Sequence, residues 1–402
     1  MTQGRSTHSS DSARFAAGPH AVVTRRGAER AERGHPWIYK SDVSEIRAAP
    51  GDVVDVISPR GHKIGQALFS DRSEITLRLI ERGDRTFDQQ TLDERLAAAI
   101  AYRESLAIDA NAYRLVHAEA DRLPSLVVDR YDDVLVVQAL SQGMDRLLPQ
   151  VAQWLENHFG PRGILIRHDA RARLLEGLGQ SVEVLSGEVP ETVVVRDRDV
   201  AYEVDPRRGQ KTGAFLDQRE NRWAAAEAAR GRLLDCFSYD GGFALRMARR
   251  VSEALALDIS DDAVARIARN AARNGLDNVR AEQSNAFDFL RAAERAGERF
   301  DIIVLDPPAF AKNRASLPRA LAGYKEINLR ALKMLTRGGT LVSCSCSYHV
   351  SEELLLDVVR AAAHDAGATV SVIEKRGQSR DHPVLLDVPE THYLKCLILR
   401  TL

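Results

Sequence analysis

In the first part of the chain, apolar positions come in short runs that alternate with polar ones. Between Ala21 and Arg82 the runs AVVT, GDVVDVISPRG, KIGQALFS and EITLRLI are rich in β-branched residues and are cut by turn residues, which predicts a small β-rich module. In GDVVDVI, Val54 and Val56 fall on one face and Val53 and Ile57 on the other, and Ser58-Pro59-Arg60-Gly61 turns the chain into the next strand. The period then lengthens. Over residues 88–109 Leu92, Leu96 and Ile100 recur at helical spacing and predict a connecting helix. RLVHAEADRLPSLVVDRYDDVLVVQAL reads as two strands around an Asp-rich turn, followed by helical residues 142–158 and the strand GILIRHD.

From about Arg196 to Leu402 strand and helix patterns alternate. RLLDCF, a helix from Gly242, EALALDI, a helix over 261–274, NVRAEQ and a helix over 286–296 lead to DIIVLDPP. A helix over 319–336, GTLVSCSCS, a helix over 351–366, TVSVIEK and YLKCLILRTL follow. This alternation predicts an α/β fold, an open and mostly parallel sheet with helices on both faces that binds ligands at its C-terminal strand ends. The expected divisions are a tail over 1–18, a β-rich unit over 19–86, an α+β linking unit over 87–195 and the α/β unit over 196–402. The tail is rich in Ser, Thr, Gly and Ala and has too few large apolar side chains to offset its ordering entropy, so it is expected to be disordered.

Composition narrows the setting. Four cysteines in 402 residues exclude a disulfide-stapled scaffold and fit a reducing compartment, with the cytoplasm as the expected location. No apolar run approaches a membrane span, and the first residues lack a signal-peptide core, so no membrane partner is expected. With 56 basic and 57 acidic residues the formal charge is -1, so a polyanion would have to be held by a local basic surface. Arg167, Arg171, Arg173, Arg207, Arg208 and Lys211 are the candidates for one, against the alternative of a solvated surface balanced by Asp169 and Asp205.

The strand ends carry the candidate chemistry. LDCF leads through Ser238-Tyr239-Asp240 into Gly241 and Gly242, where backbone can approach a ligand closely. Asp258 ends the next strand, where a carboxylate can accept from two ribose hydroxyls, and the pair suggests an adenosine-containing cofactor. The alternative has Asp235 and Asp258 only capping the helices that follow. The fourth strand ends in Asp306-Pro307-Pro308-Ala309-Phe310. The prolines project Asp306 from the strand tip, with an aromatic ring suited to stacking on a flipped base and a carboxylate suited to its edge. The fifth ends in Cys344-Ser345-Cys346, and Cys346, nearer the tip, is the candidate nucleophile. A thiolate adding to C6 of cytosine would turn C5 into an enamine carbon able to take a methyl group, with Asp306 assisting at N3. Buried inert cysteines, or zinc held by Cys344, Cys346 and His349, are the alternatives; the short spacing speaks against the metal, and none is expected.

DPPAF after strand four, CSCS after strand five and GQKTGAFLDQRENR ahead of the glycine turn make the chain resemble the RlmI type of bacterial 23S rRNA cytosine-C5 methyltransferases, from about residue 20 onward. RGHPWIY followed by GDVVDV resembles the family's N-terminal PUA domain, an RNA-binding β-barrel, and HAEADRLPSLVVDRYDD its linking domain. DHP (Asp381 to Pro383) and YLK (Tyr393 to Lys395) also match. The resemblance implies a Rossmann-like, seven-stranded methyltransferase sheet binding S-adenosyl-L-methionine, with large-subunit rRNA as partner and room for a homodimer. It assigns Cys346 as nucleophile and Asp306, Pro307, Pro308 and Phe310 to the target base. It also places Phe215, Asp217, Gln218, Arg219, Asp235, Phe237, Gly241, Gly242, Asp258, Asn285 and Asp306 around the cofactor.

Three positions depart from the wider pattern. Ala309 stands where many RNA cytosine-C5 methyltransferases carry a second Cys, which leaves the releasing base open. Asn285 stands where an Asp usually faces the adenine amino group, and Ser125 replaces a common turn Gly. Two other functions remain beside the main one: direct methyl transfer to N2 of guanosine, and a non-catalytic RNA-binding role in ribosome assembly. A nicotinamide-dependent oxidoreductase is disfavoured because the first turn lacks G-x-G-x-x-G.

Overall fold

A computed structural model describes residues 18–311 and 313–402. The expected tail, apart from Gly18, lies outside the described residues. The β-rich unit is a six-stranded sheet of His20–Val23, Trp37–Tyr39, Val43–Arg47, Val53–Ile57, Lys63–Phe69 and Ile75–Arg82. Val54 and Val56 point into its core with Ala21, Ile38, Ala67 and Leu77, as the alternation requires.

The linking unit holds the helix Gln89–Ser105, capped by Asp88, and a five-stranded sheet. Leu92, Leu96 and Ile100 are buried against Leu115, Leu126 and Val137 of that sheet. The Asp-rich segment contains three strands where two were expected: Ala112–His117, Leu126–Tyr131 and Val134–Ala139. The first precedes a short helical turn, and Ser125 takes the left-handed turn conformation at φ 66°.

An unpredicted hairpin, Val193–Asp197 with Val200–Val204, straddles the 195/196 position taken as a unit boundary. It docks on the α/β unit through Asn270 and Asn274, whose side-chain oxygens accept from the Glu203 and Ala201 N–H groups.

The α/β unit has seven strands: β1 (Arg232–Cys236), β2 (Glu253–Asp258), β3 (Val279–Gln283), β4 (Phe300–Leu305), β5 (Leu335–Ser345), β6 (Val370–Arg376) and β7 (Lys395–Thr401). Their order is β3-β2-β1-β4-β5-β7-β6, parallel except that β7 runs antiparallel to both neighbours. Helices Ala286–Ala296, Leu317–Met334 and Glu352–Ala366 bury Leu290, Ile327 and Leu355 on one face, and Phe243, Met247 and Ile267 pack on the other. The helix before β5 ends at Met334, two residues early, because Leu335 already pairs with Phe300. The chain leaves β1 towards β2 on one side and reaches β4 on the other, which opens a crevice at the C-terminal ends of these strands.

Candidate active site

The crevice holds a cavity of about 440 Å³ lined at one end by Asp258, Ile259, Asn285 and Phe287 and at the other by Asp217, Asp306 and Cys346. The turn after β1 forms its middle. Buried Asp235 ties this turn to the following helix by accepting from the Ser238 hydroxyl at 2.6 Å and the Ala244 N–H at 3.0 Å. Asp240 accepts from the Gly242 N–H at 3.1 Å. Asp258 accepts from the N–H groups of Tyr239 (2.9 Å) and Ser260 (3.0 Å), which fixes its carboxylate at the β2 tip. A Cβ on Gly242 would lie 2.4 Å from Cζ of Arg222, so only glycine lets this guanidinium lie against the backbone.

At the other end Asp306 accepts from the Gln218 amide at 2.9 Å. Burial, with the Asp217 charge beside it, pushes the Asp306 carboxyl up to about 6. Asp217 is held well below the usual carboxylate range by Lys211 and by the Tyr393 hydroxyl, which donates to it at 2.7 Å. The Cys346 thiol lies 3.9 Å from the Pro307 carbonyl oxygen and is pushed up to about 11 by burial and by the field of Asp306. Lys395, donating to the Ser347 carbonyl at 2.8 Å, is pushed down to about 8 by burial.

Of the sequence-derived candidates, Phe215, Asp217, Gln218, Phe237, Gly242, Asp258, Asn285, Asp306, Pro307, Pro308, Phe310 and Cys346 line the cavity. Arg219, Asp235 and Gly241 do not. Arg219 turns away to a two-pronged bond with Asp381 (3.0 and 2.8 Å), Asp235 braces the turn from behind, and Gly241 supplies its left-handed bend at φ 85°. Two lining residues behave differently from expectation. The Asn285 side-chain oxygen is spent on the N–H groups of Phe287 and Asp288 at the helix start. The Phe310 ring is committed to an aromatic cluster with Tyr324, Phe287 and Phe237.

The suggested basic surface is also corrected. Arg167 and Arg173 are buried and spend their donors on carbonyls and on Asp169 and Asp145. Lys211 belongs to the cavity, and Arg171 and Arg208 remain exposed. Cys344 is not a partner for Cys346, since it faces the core opposite Cys396. Sequence reasoning missed Arg222 and Asp240 as lining residues. The signals for Arg222 were its place at the end of GQKTGAFLDQRENR and its spacing four residues after Gln218, on the same side of the helix Arg219–Glu227.

Residues 130–400 match the family model of S-adenosylmethionine-dependent methyltransferases, and residues 21–82 match that of PUA-like domains. Ribosomal RNA large subunit methyltransferase I of Tolumonas auensis is 38% identical over 381 residues, covering 92% of this chain and 96% of the relative. The chain belongs to this methyltransferase family. The protein of the same name in Shewanella amazonensis is 38% identical over 390 residues, covering 94% and 98%.

Among solved structures, that of SMU.776 complexed with SAH superposes with a TM-score of 0.82 at 20% identity, covering 94% of this chain and 99% of the other. Trm5b of Pyrococcus abyssi gives 0.52 at 15% identity, with 95% and 98% covered, and both likenesses concern the fold. Family membership makes S-adenosylmethionine the methyl donor, and the cavity fits it. Asp258 stands at the β2 tip, Arg222 and Asp240 line the turn after β1, and Phe237, Phe287 and Phe310 form an aromatic wall. Among the described residues, no helix is long and apolar enough to cross a membrane.

Proposed function

We propose that this enzyme methylates C5 of a cytosine in large-subunit rRNA through a transient bond between Cys346 Sγ and C6 of the base. The observation that carries the proposal is the pairing of the Cys346 thiol and a high-pKa carboxyl, Asp306, in the wall of one cavity that also fits the methyl donor. The names of the relatives support rRNA as substrate, and the PUA-like unit would supply RNA contacts that position it.

A resting thiol pushed up to about 11 needs a partner for its proton. Asp306, ionised at neutral pH with a pKa of about 6, takes that proton and presents it to N3 of the base. Losing the carboxylate charge also removes one cause of the high thiol pKa, so protonation of Asp306 and attack by Cys346 favour each other. Sulfur then bonds to C6, the C5=C6 π pair shifts into C4–C5 as N3 takes the proton, and C5 of the resulting enamine is the nucleophile for the methyl group that the bound cofactor would supply. Loss of the C5 proton to solvent and return of the N3 proton to Asp306 restore the double bond and expel the Cys346 thiolate. Gln218 holds the Asp306 carboxylate in place through its 2.9 Å bond. Asp258 would take the ribose hydroxyls.

The test is incubation with unmodified large-subunit rRNA and isotopically labelled S-adenosylmethionine, followed by digestion to nucleosides and mass spectrometry. Label in 5-methylcytidine is expected. Label in a methylguanosine would replace the covalent route by direct transfer at the Asp306-Pro307-Pro308 loop.

A further inference from the structure

Arg222 is an unusual cation for its position. Its side chain is 6% exposed, yet it lines the cavity, and its Nε has no hydrogen-bond partner among the described residues. Its nearest carboxylate, Asp240, is 3.9 Å away from Nη2, beyond hydrogen-bond reach, and is already bonded to the Gly242 N–H. The other cation of the wall, Lys211, is bonded to Asp217. A buried guanidinium without a bonded anion is costly unless a ligand completes it.

We infer that Arg222 binds the carboxylate of the methionine tail of the cofactor, with the guanidinium held over Gly242 so that it meets that tail where it passes the turn after β1. Two carboxylate oxygens of the same wall, Oδ1 of Asp217 and Oδ2 of Asp240, are likewise buried without partners. One unmatched donor group and two unmatched acceptors are the complement of an α-amino acid, whose carboxylate accepts and whose ammonium donates. The fork shape of Arg suits the carboxylate in two-pronged fashion, and Lys would not reproduce it. A phosphate of the RNA is the competing anion. The site favours the cofactor because Arg222 sits under the glycine turn, buried with Gly242 against it, rather than at the rim. The inference rests on the cofactor class and is independent of which base atom is methylated.

The experiment measures binding by calorimetry, without RNA, of S-adenosylhomocysteine and of 5′-methylthioadenosine, which keeps the nucleoside and sulfur but lacks the amino acid. Arg222→Met is expected to weaken S-adenosylhomocysteine about 10- to 100-fold and to leave 5′-methylthioadenosine within about twofold. Arg222→Lys should recover only part of the loss. Equal weakening of both ligands, or of neither, overturns the inference. Should Arg222→Met not fold, wild-type protein decides through decarboxylated S-adenosylhomocysteine, which must bind at least about tenfold more weakly than the parent. Equal affinity there overturns the inference while leaving the cytosine reading untouched, and wild-type protein that binds neither nucleoside ligand overturns the cofactor assignment itself.

Discussion

Cys346 and Asp306 set the pH behaviour expected of the reaction. The active form has the proton on Asp306 and none on Cys346, the reverse of the resting order given by pKa values of about 6 and about 11. Its population is constant between those two values, falls on the acid side below about 6 as both groups protonate, and falls above about 11 as both ionise. Plots of log kcat/KM against pH should therefore be flat from about 6 upward through the neutral range. In Asp306→Asn the acid limb should vanish and the much lower rate should climb with pH until the thiol titrates. Cys346→Ala should lower 5-methylcytidine formation by on the order of 10³-fold or more while S-adenosylhomocysteine affinity stays within about twofold. Survival of activity in that variant would replace covalent catalysis by direct transfer. Asp235 offers a separate test on stability. Burial pushes its carboxyl up to about 7, and among the described residues its Oδ1 has no hydrogen-bond partner. Its folded pKa exceeds its unfolded one, so its contribution is full below about 4 and fades as pH rises through about 7. Asp235→Asn keeps an acceptor for Ser238 and Ala244 and cannot ionise, so its unfolding free energy should lose that decline between pH 4 and 7.

Among the elements, the central strands of the catalytic sheet were read well, whereas the hairpin Val193–Asp197 with Val200–Val204 was missed although Val193, Val195, Val200, Tyr202 and Val204 are buried in strict alternation. β1, β2, β4, β5 and β7 fall close to the expected runs because each puts Leu, Ile, Val, Ala or Phe into one of two cores, while the edge strands β3 and β6 are only partly buried. The helix Arg219–Glu227 escaped because its first turn is buried and polar: Arg219, Glu220 and Asn221 bond to partners more than 100 residues away in the chain, such as Ser379 and Asp381, and Arg222 is buried beside them. No periodicity of hydrophobicity records such a helix. The site shows the same division. Asp306, Asp258 and Cys346 were legible because a strand tip fixes where they go. The diversion of Arg219 to Asp381 and the lack of a partner on Arg222 depend on loops that only the fold brings together. At the turn itself, Gly242→Ala would force a Cβ to within 2.4 Å of Arg222 Cζ. The guanidinium would have to shift, and cofactor affinity should drop about tenfold or more with little change in thermal stability, which calorimetry and a melting curve separate.

Over the whole molecule, Asp381 is where the linking and catalytic units meet. Its carboxylate takes Arg219 at 3.0 and 2.8 Å and the Arg114 N–H at 2.9 Å, and its carbonyl takes Arg103 at 2.8 Å. Near it, Asp129 accepts from Arg114 and Thr212, and the Tyr131 hydroxyl meets Thr212 at 2.9 Å. The β-rich unit is fastened to the linking unit by the buried pair Arg78 and Glu176 at 2.7 Å. Asp381→Asn leaves Arg219 buried without a compensating charge and should cost about 3–5 kcal/mol in denaturant unfolding. The Asp381 carboxyl is held far below the usual range by its neighbours, His382 and Arg219 first among them. Its contribution is therefore present above the unfolded value near 4 and is lost as pH falls below it, so the variant should show a flatter acid limb than the parent.

The position of β7 has a kinetic consequence. It lies between β5 and β6, both of which precede it in the chain, so the sheet cannot close by adding strands in sequence order. Its partner residues Ser345 and Lys395 stand 50 positions apart, a long loop to close before the pairing is rewarded. Refolding should end with a strand slotting into a gap. Methyl transfer should be regained in that last, slowest phase rather than with the earlier gain of helix signal, because Cys346 follows directly on the β5 end that this strand completes.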